Sequence, residues 1–152
     1  MSVFPNGLFL IYLTELNEPV ENSLRVIVAE AKTDDRTKSD TIIASSITPI
    51  VITPDSRRFE FVWKSYVAYS VRDETVAQHD KDRPPVSSTF LERRSSAYLR
   101  FLEETTFAAA IAQRPIKHWE INCLNHCIDV VSSEEPEIRQ ILSDVGTTAK
   151  YN

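Results

Sequence analysis

From Phe59 to Val71, Phe59, Phe61, Trp63, Val67, Tyr69 and Val71 occupy odd positions, with Ser65 among them. Glu60, Lys64, Ser70 and Arg72 take even positions. Successive side chains of a strand point to opposite faces. A period of two therefore predicts one long strand, or two joined by a bend at Ser65, with an aromatic face on the core. No other feature restricts the fold as strongly.

Strands are also expected before it. Leu8 to Leu13 reads as a buried strand, and a polar turn follows around Asn17, Glu18 and Pro19. Leu24 to Ala31 reads as a second strand with Leu24, Val26 and Val28 on one side. Lys32 to Asp40 is rich in charge and has no aliphatic residue, as an exposed connection would. Thr41 to Thr53 is dominated by β-branched residues, and Pro49 and Pro54 confine that strand to an edge or break it.

Beyond the aromatic strand, residues 73–88 read as a flexible loop, with Asp80, Lys81, Asp82 and Arg83 ahead of Pro84 and Pro85. Thr89 and Glu92 have capping-box spacing, and Leu91, Tyr98, Phe101, Leu102 and Thr105 form a helical stripe. A short helical turn is expected over Phe107 to Ala112. A last helix is expected after Ser133, opening on Glu134, Glu135 and Pro136 with Ile138, Ile141 and Leu142 facing inward. Strands first and helices later predict an α+β fold: a mainly antiparallel, curved sheet or partial barrel with two or three helices packed on one side.

Composition narrows function mainly by exclusion. The 152 residues include only Gly7 and Gly146, 139 positions apart (146 − 7). A P-loop, a GxGxxG turn and a GxSxG elbow all need closely spaced glycines, so none can be written here. A chain of this length buries roughly 70% of its extended surface on folding, enough for a single globular domain over 1–152. The net charge is −5 and the basic residues are scattered, which argues against nucleic-acid and anionic-membrane partners. The run Leu8 to Leu13 has no preceding Lys or Arg and is too short to span a bilayer. Two cysteines, Cys123 and Cys127, fit a reducing compartment without disulfides, and the expected location is cytoplasmic.

Reactive side chains concentrate in His118 to Val131, which holds two of the three histidines, both cysteines, Glu120, Asn122, Asn125 and Asp129. The segment reads better as a strand than as a helix because of Ile121, Ile128, Val130 and Val131. Its hydrophobic phase slips near Cys123 and Leu124, as a β-bulge would cause. Zinc ligation lacks a CxxC or HExxH signature, so no metal and no cofactor are assigned, and buried thiols with a hydrogen-bonded histidine are preferred. His126, Asp129 and His118 are the candidate catalytic residues. Arg72 and Glu74, at a strand end, are candidate ligand-binding residues together with Tyr66 and Asn125. The resulting expectation is a binding or interaction domain for a small molecule or protein, with homodimer formation left open. The alternative is a small hydrolase or metal-assisted enzyme using residues 118–131.

Overall fold

The computed structural model describes residues 4, 9–33, 49–81, 83 and 88–142. Among them, antiparallel sheet dominates and helices are few. The first sheet has the order β1-β2-β5-β10, formed by β1 (Ile11–Asn17), β2 (Leu24–Glu30), β5 (Arg58–Trp63) and β10 (Glu137–Ile141). The second has the order β6-β9-β8-β7, formed by β6 (Ala68–Asp73), β9 (His126–Ser132), β8 (Lys117–Asn122) and β7 (Phe90–Arg93). A two-residue pair joins β3 (Lys32–Thr33) to β4 (Ile50–Val51). The expected curved sheet or partial barrel is thus replaced by two separate four-stranded sheets, neither curled nor closed.

The aromatic alternation explains why there are two. Phe59, Phe61 and Trp63 on β5 are wholly buried in one cluster with Leu24, Val26 and Val28 of β2 and with Trp119, Ile121, Ile128 and Val130 of the second sheet. The chain turns between Trp63 and Ala68 and enters the other sheet as β6, where Tyr69 packs on the same cluster. The bend near Ser65 therefore carries one aromatic face from sheet to sheet, and the two inner faces share the core as in a sandwich. Each large aliphatic or aromatic side chain buried there contributes about 1.5–3 kcal/mol.

With glycines scarce, other residues make the special turns. Asn22, between β1 and β2, takes φ 61°, a left-handed conformation that Asn tolerates better than most residues. A bulge without glycine does occur, at Thr14 of β1, where the register shifts between Leu13 and Glu15. The phase slip near Cys123 has another cause. β8 and β9 form a hairpin across Cys123, Leu124 and Asn125, pairing Trp119 with Val130 and Ile121 with Ile128 on the core face. That turn is tied to β1. Asn125 accepts from Leu13 N–H (2.9 Å) and donates to Leu13 C=O (3.1 Å), and Leu124 N–H donates to Ile11 C=O (2.8 Å).

Two helical expectations fail. The last segment is strand β10, because Ile138 pairs with Phe61 and Arg139 with Glu60 along the open edge of β5. Thr89 and Glu92 do not cap a helix, since Phe90–Arg93 pairs with β8 as β7. Helix α1 (Ala97–Thr105) starts later, capped by Ser96, whose Oγ accepts from Leu99 N–H (3.0 Å). The turn over Phe107 to Ala112 is present as α2 (Ala108–Ile111). No helix among the described residues is long and apolar enough to cross a membrane.

Leu99 and Leu102 of α1 pack on Val131, with Val67, Ala68, Tyr98 and Ile116 beside them, on the face of the second sheet away from the core. This contact covers only one end of that face.

Candidate functional site

Pairing of the strands sets the outer face of the second sheet in rows. Ala68, Val131, His118 and Arg93 form the row near α1. Ser70, Asp129, Glu120 and Leu91 form the next, and Arg72, Cys127 and Asn122 the third. Period two places these polar groups on one face and the apolar Trp119, Ile121, Ile128 and Val130 on the other. The residues after β6, beginning with a 3₁₀ turn at Glu74–Val76, lie over the polar rows.

Between loop, sheet and helix lies a cleft of ≈ 350 Å³. Ser70, Arg72, Asp129, Glu120 and Arg93 line it from the sheet, Gln78, His79 and Asp80 from the loop, and Ser96, Ala97, Tyr98 and Phe101 from α1 and its cap. Its charges are paired. Arg72 donates through Nε (3.1 Å) and Nη2 (2.8 Å) to Asp129 Oδ2, and through Nη1 to Gln78 C=O (3.0 Å). Glu120 is held between two buried guanidiniums, Arg93 at 2.9 Å and Arg83 at 2.6 Å. Asp80 accepts from Ala97 N–H (2.6 Å) at the start of α1 and lies 3.5 Å from Arg93. Arg83 also donates to Asn122 Oδ1 (2.8 Å). Asp80, Arg83 and the Gln78 carbonyl thus fasten the loop to sheet and helix.

At the centre His118, 2% exposed, bridges Asp129 Oδ1 (2.9 Å from Nε2) and Ser96 Oγ (2.9 Å from Nδ1). An ionised carboxylate only accepts, so Nε2 carries a proton. In the neutral ring Nδ1 then accepts from the Ser96 hydroxyl. Burial pushes the Asp129 carboxyl up, but the His118 hydrogen bond and the Arg72 guanidinium outweigh it and hold the group below the ordinary carboxylate range.

The structure brings together only part of the expected set. His118, Asp129 and Arg72 meet in the cleft. His126 does not: it lies on the opposite face of β9 from Asp129, paired with Asp73 at the strand's start. Glu74 is exposed in the 3₁₀ turn. Asn125 spends its side chain on Leu13, a structural tie between the sheets. Tyr66 packs edge-on against Tyr69 and donates to Glu18, which pushes its hydroxyl up to about 12, with burial adding to the effect.

His118, Glu120 and Asp129 offer ligand atoms within 4.8 Å of one another. The donor set nevertheless suits a cation poorly. Both Glu120 oxygens face arginines, Asp129 Oδ2 faces Arg72, and both imidazole nitrogens are engaged. A metal ion would have to displace guanidiniums and then face their charge. The thiols are likewise unsuited to act as thiolates, since burial pushes both Cys123 and Cys127 up. They also lie apart, Cys123 in the core cluster and Cys127 on the polar face beside Asn122.

Sequence reasoning did not single out Ser96, Arg93, Asp80, Arg83 and His79, and it counted Glu120 only among the reactive side chains of residues 118–131. The usable signal was Ser96 directly ahead of the stripe Leu99 and Leu102, which marks a helix start that the Thr89 and Glu92 spacing obscured. Comparison with protein-family models, curated proteins and solved structures finds no match for this chain.

Proposed function

We propose that the chain is a binding domain that takes a small polar molecule into the cleft between the loop after β6, the second sheet and α1. The observation that carries this reading is the preset charge array on the cleft's sheet side. Arg72 with Asp129 and Arg93 with Glu120 are fixed by hydrogen bonds before any ligand enters, next to the apolar wall of Tyr98 and Phe101. Sites of this kind combine an apolar wall with a few placed polar groups, and the cleft volume falls in their usual range. Alternating cations and anions suit a ligand that presents both donors and acceptors, and preorganisation lowers the cost of ordering the site on binding. The two buried thiols support a reducing compartment such as the cytoplasm.

A thermal-shift screen of small polar metabolites against the full chain tests this reading. A ligand at 100 times its Kd should raise Tm by about 5–10 °C. Arg72→Ala and Tyr98→Ala should each remove most of that shift. Ligands that stabilise both variants as much as the parent chain would place binding elsewhere and refute the assignment.

A further inference from the structure

We infer that the Ser96, His118 and Asp129 relay makes Ser96 a nucleophile for the hydrolysis of small carboxylic esters held in this cleft. The inference rests on the cleft being the ligand site and adds a reaction to it.

Three features of the relay support the step. Asp129 is kept ionised and its Oδ1 fixes the Nε2–H tautomer of His118, so the Nδ1 lone pair faces the Ser96 hydroxyl at 2.9 Å, within reach for general-base proton transfer. Asp129 is itself immobilised by Arg72 and by Ser70, whose hydroxyl donates to Oδ2 (3.2 Å). Ser96 Oγ accepts only one further hydrogen bond in the network described, from Leu99 N–H, which leaves a lone pair for attack and stabilises an alkoxide as it forms. Sheet and helix hold base and nucleophile separately, so the geometry does not depend on a single loop. Relative to the usual serine relay the imidazole is inverted, with Nδ1 as the base, but the roles are recognised by geometry rather than by atom label.

The surroundings indicate the substrate class. Ser96 is 2% exposed and borders the cleft, so attack occurs inside it and the substrate must be small. The rings of Tyr98 and Phe101, parallel within 10° and 6.5 Å apart, offer an apolar surface to the acyl or alcohol part. The N–H of Tyr98, second in α1, has no acceptor within the helix, and in the proposed reaction it takes the carbonyl oxygen as that atom gains negative charge.

The reaction balances without a further reagent. Ser96 Oγ attacks the carbonyl carbon as its proton passes to His118 Nδ1. The bond to the alcohol oxygen breaks, and the alcohol leaves with that proton. Water then attacks the acyl carbon and gives a proton to Nδ1. The acid departs as Ser96 Oγ recovers the proton.

The test uses the full chain, a small alkyl fluorophosphonate and p-nitrophenyl acetate. One adduct per chain should form, mapping to the peptide containing Ser96, and p-nitrophenyl acetate should be turned over. Ser96→Asn keeps a capping side chain and should abolish both signals while the far-UV circular dichroism spectrum stays that of the parent chain. His118→Gln should slow labelling 10²-fold or more. Asp129 acts through His118 and is a positioning residue. Asp129→Asn should slow labelling and move the midpoint of the labelling-versus-pH curve, which a purely structural role would leave in place. No adduct, an adduct on another residue, or labelling unchanged in Ser96→Asn overturns the inference. If ligands found by thermal shift still depend on Arg72 and Tyr98 in that case, only the catalytic step fails; if they do not, the binding reading fails as well.

Discussion

Glu120 sits between Arg93 and Arg83, and this asymmetry makes a sharp prediction about the buried charges of the cleft. Removing one partner of a buried pair usually costs about 3–5 kcal/mol, because the other charge is left uncompensated. Arg93→Met does not fully create that situation: Glu120 keeps Arg83 at 2.6 Å, and Asp80 keeps the Ala97 amide at 2.6 Å. The expected cost is therefore about 2–3 kcal/mol, below the usual range. Glu120→Gln is the harsher change although it is nearly isosteric. One amide oxygen cannot serve two guanidiniums, so its NH₂ must face one of them; beyond that single oxygen, the partners of Arg93 and Arg83 among the described residues are Asp80 at 3.5 Å and the Asn122 oxygen at 2.8 Å. About 4 kcal/mol is expected there. Urea unfolding followed by tryptophan fluorescence should show both variants with unchanged m and a midpoint lowered by roughly 1 M or more, with Glu120→Gln the lower. Because the residues touch, the double variant should be less destabilised than the sum, by about 1–3 kcal/mol. The reasoning is refuted if Arg93→Met costs as much as Glu120→Gln, or if both cost under about 1 kcal/mol, as solvent-exposed pairs do.

Other expectations follow from single contacts. Since the Asp129 carboxyl is held below its ordinary value when folded, its contribution is fully present above the unfolded pKa of about 3.9 and is lost as pH falls through the folded value. Urea midpoints from pH 6 to pH 2.5 should therefore fall less steeply for Asp129→Asn than for the parent chain, and parallel curves would contradict this. Asn125→Ala removes two hydrogen bonds to Leu13 and should cost about 1–3 kcal/mol and speed amide exchange at Leu13, while leaving cleft ligands bound with unchanged affinity. A fall in affinity would restore Asn125 to the site. The buried, raised thiols of Cys123 and Cys127 should react with Ellman's reagent at neutral pH far more slowly in the native chain than in urea, and equal rates would refute their burial.

Much of the architecture was legible where local pattern and tertiary contact agree. Phe59, Phe61 and Trp63 alternate because one sheet face is buried, and Leu24, Val26 and Val28 oppose them across the β2–β5 pairing. Legibility failed where one local signal had two causes. A reversal of direction shifts hydrophobic phase as a bulge does, so the turn at Cys123 to Asn125 resembled one. Ser133 through Pro136 resembles a helix start, yet the unpaired edge of β5 draws Glu137–Ile141 into the sheet, where backbone bonding and the Arg139–Glu60 pair outweigh propensity.

The site was readable only in its nucleus. His118 and Asp129 lie 11 residues apart on hairpin-paired strands, and Arg72 at the end of β6 reaches Asp129 across 57 positions. Arg93 and Glu120, 27 positions apart, neutralise each other in the interior, and nothing local to either residue records that pairing. The charged stretch Asp80 to Arg83 looked like a solvated loop for the same reason. Its Asp80 and Arg83 bind Ala97, Glu120 and Asn122, contacts that exist only once sheet and helix are assembled.

The central claim is that the functional site is the cleft over the outer face of the second sheet. Backbone amide shifts in a ¹⁵N-labelled full chain, followed while the strongest thermal-shift ligand is added, test it most directly. The account predicts perturbations concentrated at Ser70, Arg72, Gln78, Ala97 and Tyr98, with β1, β2 and β10 unmoved. Shifts centred on the outer face of the first sheet, around Arg25, Glu60 and Arg139, would contradict it.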